Sequence, residues 1–209
     1  MVDGGGFFFY NRGEIIVRKG FLMQMVRSES KAGFTVRDMT KMAVCLAFCM
    51  VSAFISFPLP MTPGLVTALT IALDVTAFVL SPKLTFITVV AYVVLGAVGL
   101  PIFPGGMGGL GRLFGPTGGF YMGWPFVCAI VSWLAAGHVP SFKRYAAIAI
   151  IAGIPLTYVG GIASMMMVLH VDLGKALMMA AVPFIPGDIM KALISAFIAV
   201  RVNKMLRKA

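Results

Sequence analysis

Hydrophobic and polar positions divide the chain into six apolar stretches, and the breaks between them are where proline, glycine and charge collect. The first stretch, 36–57, is closed by Pro58 and Pro60, residues that lack the N–H a helix needs to continue. The second, 63–80, opens at Pro63 and Gly64 and runs to a tight turn at Ser81, Pro82 and Lys83. The third, 84–99, stops at Leu100 and Pro101 and gives way to a glycine-rich loop that reaches Gly115. The fourth, 116–137, and the fifth, 144–169, flank a polar link that contains Pro140. The last region is divided: 175–182 reads as a short apolar helix, Pro183 and Pro186 break it, and 187–200 starts just after a proline, as helices often do. Stretches near the roughly 20 apolar residues that cross a hydrocarbon core predict six transmembrane helices.

Composition agrees. Of 209 residues, 60% are hydrophobic and 11% charged, against about 25% charged in a soluble domain. A soluble enzyme or binding module is excluded, and the expected organisation is a mobile basic tail, 1–34, followed by one membrane domain, 35–209. The tail lacks the apolar core and small-residue cleavage site of a signal peptide. A net charge of +10 raises nucleic acid as a partner, but that reading needs a basic polar surface, and here the basic residues flank apolar runs. They serve instead as topology signals. With both termini cytoplasmic, 14 of the 17 Lys and Arg fall in the tails and inner loops, leaving Arg112, Lys175 and Lys191 at the outer face.

Polar groups at membrane depth are costly, which makes Asp74, Arg112, Asp188 and Lys191 functional candidates. Asp188 and Lys191 stand at i and i+3, on one face of the first turn of the sixth helix. They form either a ligand-binding acceptor and donor beside a positive helix end, or an intrahelical ion pair that helps the helix start. The loop PIFPGGMGGLGRLFGPTGG matches GxGxxG at Gly106, Gly108 and Gly111, but no βαβ unit surrounds it, so a dinucleotide site is not expected. A re-entrant or cap-like loop whose backbone approaches a ligand fits better, with a flexible outer loop as the bland alternative.

Small residues recur at helical spacing, as in Ala43 with Ala47, Gly115 with Gly119, and Gly119 with Gly123, and suit close helix packing. Cys45, Cys49 and Cys128 fall inside apolar runs and read as packing residues. His138 and His170 have no partners at ligand spacing, so no metal site is expected. No catalytic motif is present, and the chain is not expected to be an enzyme.

Two stretches, AYVVLGAVGLPIFPGGMGGLGRLFGPTGGFYMGWPF from Ala91 and VPFIPGDIMKA from Val182, resemble the BioY family, the biotin-binding S components of energy-coupling factor (ECF) transporters. Weaker similarity starts near Thr35, at TVRDMTKMA. The resemblance implies an all-α membrane fold, a six-transmembrane-helix S-component bundle with an outer glycine-rich loop between helices 3 and 4. It also implies capture of biotin at the outer face of a prokaryotic plasma membrane, in the lipid bilayer and away from nucleic acid. Uptake would use a transmembrane coupling protein and two cytoplasmic ATPase subunits, so ATP is used by the partners and no cofactor is bound by this chain. Positions matching the family motifs are Tyr92, Gly115, Pro116, Thr117, Gly118, Gly119, Asp188 and Lys191, while Ala43 and Ala47 resemble the AxxxA face that docks on the coupling protein.

Biotin's ureido ring suits Asp188 and Lys191, its thioether ring and valeryl chain suit apolar walls such as Tyr92, Phe103 and Phe114, and its carboxylate suits Arg112 and the glycine loop. The sequence departs from the family around the second helix, where VPxTxQ is usual. Here it reads LVTALT from Leu65, with Leu69 at the glutamine position, Ala77 and Ser81 stand where glycines are usual, and Asp74 is a candidate substitute for the glutamine. These departures leave an S component for another small vitamin as the alternative.

Overall fold

The computed structural model describes residues 34–58 and 62–208. The expected tail 1–34 lies almost wholly outside these residues, as does Pro60. The chain divides into two units, one through Met39 and one from Thr40 onward. In the first, the Thr35 hydroxyl accepts the Asp38 N–H at 3.1 Å while the Asp38 carboxylate accepts the Thr35 N–H at 3.4 Å. This reciprocal cap starts helix α1, Val36–Ala53.

Among its described residues the second unit is mainly helical, with one short two-stranded ribbon. α1 buries Cys45, Cys49, Ser52 and Ala53 along one face, and the Cys49 thiol meets the Thr76 hydroxyl at 3.6 Å. The predicted first span ends early, because α1 stops at Ala53 and Ser56–Pro58 forms strand β1. The predicted start of the second span is corrected in the same way, since Leu65–Thr67 forms β2, antiparallel to β1 with Phe57 opposite Val66. The Thr67 hydroxyl then accepts the Leu69 N–H at 3.1 Å, and α2 begins, Leu69–Val79.

After the turn at Ser81, α3 runs Pro82–Ala97 with its proline at the N-terminus, where its missing N–H costs nothing. The following loop folds back on itself through an antiparallel bridge between Phe103 and Met107. Gly105 and Gly106, at φ 80° and 68°, make the turn between them. A single turn, α4, Leu110–Leu113, leads into α5, Gly118–Ala135.

Next, α6, Phe142–Ile148, passes through a π-helical turn, Ala149–Gly153, into α7, Ile154–Leu169. Pro155 lacks the N–H for a regular bond to the preceding turn, and a widened turn absorbs the break. α8, Leu173–Ala180, and α9, Ile185–Lys208, are bent by 48° across a break that holds Pro183. α9 continues past the predicted end at Val200, since Asn203 donates to the Phe78 carbonyl at 2.8 Å and to the Tyr145 hydroxyl at 3.1 Å.

α5 packs on α2, α3 and α7, and α9 closes against α2 and α6. α5 and α7 touch through glycine, because a Cβ on Gly119 would stand 1.9 Å from the Gly160 carbonyl oxygen. Two helical stretches, Gly118–Ala135 and Phe142–Leu169, are long and apolar enough to cross a membrane, and the bent pair Leu173–Ala180 with Ile185–Leu206 makes a third. Leu69–Val79 and Pro82–Ala97 are apolar but shorter. The chain is a helical membrane protein.

Candidate functional site

At the end of the bundle that carries the α3–α5 loop and the α8–α9 break lies a cavity of about 720 Å³, counting its open mouth. This is within the range of small-molecule sites, about 300–1,000 Å³. Three charged side chains line it: Arg112, Asp188 and Lys191. The Lys191 ammonium donates to Asp188 Oδ1 at 2.9 Å, with side chains only 14% and 17% exposed respectively. Tyr158 on α7 donates its hydroxyl to Asp188 Oδ2 at 2.5 Å. The pair is thus an intrahelical ion pair that also forms part of the cavity wall.

Arg112 faces the same space from the loop, its guanidinium against the Met107 sulfur, and forms no ion pair among the described residues. The lining thus carries two cations and one anion, a balance suited to a ligand with one negative charge. Thr117, at the start of α5, joins it, and Phe120, Trp124, Met165 and Phe184 supply apolar walls.

A second cavity of about 500 Å³ continues further along the bundle, sharing Thr70, Trp124, Thr157, Tyr158, Asp188 and Lys191 with the first. Asp74 belongs to this second cavity, and Ser195, seven residues after Asp188 on the same face of α9, donates to its Oδ2 at 3.1 Å. Gly153 of the π-helical turn lies opposite, close enough that a Cβ there would stand 3.9 Å from Asp74 Oδ1.

Of the residues singled out in the sequence, Arg112, Thr117, Asp188 and Lys191 come together in the cavity. Tyr92, Phe103, Gly118 and Gly119 are not among its lining residues. Tyr92 is buried and donates to the Ile102 carbonyl at 2.7 Å, and Phe103 is buried over Gly96, where a Cβ would collide with its ring at 2.2 Å. Both rings hold the loop on α3. Phe114, expected as a wall, is 71% exposed instead.

Gly118 is needed because a Cβ there would lie 1.8 Å from the Leu113 carbonyl oxygen. Among the small-residue pairs, Gly119 meets another helix while nothing lies within 4 Å of a Cβ on Gly123. Ala43 and Ala47 are exposed on α1, the three cysteines are free and buried, and Leu69 is fully buried without lining the cavity. Sequence reasoning missed Tyr158, Trp124 and Thr70. Only their polar atoms inside apolar runs set them apart.

A bundle with a charged, half-open cavity at one end defines a membrane protein built to hold a small molecule. Comparison with known proteins narrows the class. The sequence matches the BioY family over residues 25–208. It is 35% identical to the "Biotin transporter BioY" of Thermotoga maritima over 81% of this chain and 98% of that protein. It is 33% identical to the "Probable biotin transporter BioY" of Bacillus subtilis, over 81% and 91%. In structure it resembles the crystallised S-component for biotin from an ECF-type ABC transporter, with a TM-score of 0.74 and 24% identity over 82% of this chain and 95% of that one. The chain belongs to the BioY family. Its relatives carry the names of transporters, not enzymes.

Proposed function

We propose that this chain is a biotin-capture subunit, the S component of an ECF-type vitamin transporter. One observation of the site carries the reading: beside the neutral Asp188–Lys191 pair, Arg112 is the remaining cation in a cavity of ligand size. A ligand with one carboxylate at one end and a polar head at the other fits that lining. Biotin's carboxylate pairs with Arg112, its ureido group meets Asp188 and Lys191, and its apolar middle lies against Phe120, Met165 and Phe184.

The assembly follows the same reading. A transmembrane coupling protein docks on the exposed Ala43 and Ala47 face of α1, and two cytoplasmic ATPase subunits use the ATP. Six crossings with both termini cytoplasmic are supported by the six apolar stretches along the sequence and by the charge count. Leu69, buried where the family pattern has glutamine, is the observation that favours a different vitamin.

Purified protein in mild detergent, exposed to a panel of radiolabelled vitamins, tests the reading. Saturable binding of biotin in preference to the others is expected, and the molecule retained through purification should be biotin by mass. Saturable binding of another vitamin without biotin would replace this reading with the alternative.

A further inference from the structure

Trp124 on α5 is buried, with 5% of its surface exposed, and packs edge-on to Tyr121 with ring centroids 4.9 Å apart. Its Nε1 is the one buried side-chain nitrogen or oxygen without a hydrogen-bond partner among the described residues. Buried indole N–H groups normally find an acceptor, because leaving one unmade forfeits its hydration for nothing. Trp124 is also one of the residues that line both cavities, together with Asp188, Lys191 and Tyr158. Arg112 lines only the first.

A ligand lying with its anionic end at Arg112 therefore brings its other end to the wall where Trp124 stands. Asp188 can only accept hydrogen bonds when ionised, and the indole can only donate. A head group that is both donor and acceptor uses both. Resting on the biotin reading above, we infer that Trp124 Nε1 donates to the ureido carbonyl oxygen of the bound molecule while Asp188 accepts from a ureido N–H. Trp124 thereby determines specificity, rewarding a ring that carries a carbonyl at the end remote from the carboxylate.

Equilibrium binding of biotin and of biotin methyl ester to wild-type, Trp124→Phe and Arg112→Ala protein tests this. Phenylalanine keeps an aromatic ring and removes the donor. Trp124→Phe should weaken both ligands by the same factor, roughly 5- to 30-fold, while Arg112→Ala should weaken biotin and leave the ester nearly unchanged. A Trp124→Phe loss seen with biotin but absent with the ester would place the N–H on the carboxylate and overturn the assignment. Wild-type binding equalled by Trp124→Phe would overturn the inference alone, assigning the N–H to the Tyr121 ring, whereas wild-type protein that binds no biotin would remove the reading and the inference together.

A second measurement does not depend on that variant folding. The chain has two tryptophans, and Trp133 is 68% exposed and lines neither cavity. In Trp133→Phe protein, the emission of Trp124 should change with biotin and saturate at the concentration that saturates binding. Emission unmoved at saturating biotin overturns the contact.

Discussion

The glycine-rich loop between α3 and α5 and the first two turns of α9 bound the same cavity, but they contribute to it in different ways. In the loop, close contacts consume the conspicuous residues: Phe103 fills the space over Gly96, Gly118 lies under the Leu113 carbonyl, and Gly108 would place a Cβ 2.3 Å from the Leu100 oxygen. What reaches the cavity from this region is Arg112, Thr117 and the side chains beside them. In α9 the conspicuous residues are themselves the lining, since Asp188 and Lys191 face the space beside Tyr158, whose hydroxyl is bonded to Asp188. A motif rich in glycine marks where backbone must approach backbone. A charged pair in an apolar helix marks where chemistry is done.

The largest expected effect tests the α9 side. Lys191→Ala leaves the Asp188 carboxylate, 17% exposed, without its cation. Removing one partner of a buried pair is far more damaging than replacing both. Biotin affinity in an equilibrium binding assay should fall on the order of 100-fold, about 3 kcal/mol. The double variant Asp188→Asn with Lys191→Ala should lose less than the two single losses combined. Affinity held within threefold of wild type in Lys191→Ala would remove this turn from the site.

The loop should respond the other way. Gly118→Ala puts a methyl 1.8 Å from the Leu113 carbonyl oxygen, a collision with backbone that no rotamer change relieves. The expected cost is about 1–3 kcal/mol of stability, read as a lower thermal midpoint in detergent. Affinity of the folded fraction should change much less than in Lys191→Ala. A hundredfold affinity loss at unchanged thermal midpoint would mean that Gly118 meets the ligand, and the contrast between loop and helix would collapse.

Tyr158→Phe sharpens the comparison at smaller scale. The hydroxyl donates to Asp188 at 2.5 Å, and its removal frees one carboxylate oxygen while leaving the Lys191 contact intact. A loss of about 1 kcal/mol, roughly fivefold in biotin affinity, is expected. Unchanged affinity would show that Lys191 alone orients the carboxylate.

Much of this was legible in the sequence, and the limits have physical causes. Proline and lysine located the breaks between apolar stretches well, because a missing N–H and a charge act locally. Helix ends near Ala53 and Leu69 were misplaced because Ser56–Pro58 and Leu65–Thr67 pair with each other, a tertiary contact that hydropathy cannot carry. Asp188, Lys191 and Arg112 stood out because charge is expensive in a membrane. Tyr92 and Phe103 were read as apolar walls for a ligand, yet they hold the loop on α3 through the Ile102 carbonyl and the hollow at Gly96. Tyr158 and Trp124 went unnoticed, since an aromatic residue in an apolar helix does not announce which of its neighbours will be polar.

The smallest predicted effect concerns the hinge between α7 and α9. Asp172 caps α8 by accepting the Lys175 N–H at 3.2 Å. That backbone hydrogen bond, helped by the Lys175 ammonium, holds its carboxyl below the ordinary range. A carboxyl lowered on folding contributes stability that is complete above its unfolded value, about 3.9, and is lost as pH falls through the folded value. α8 places Ala180 in the cavity wall, so a loosened cap reaches the site. Amide exchange across Leu173–Ala180, corrected for intrinsic rates, should show protection dropping below about pH 4 in wild type. Asp172→Asn keeps a capping acceptor but cannot titrate, so its α8 should show no such step. Equal acid sensitivity in the two proteins would move the control of this wall from the α8 cap to groups elsewhere in the bundle.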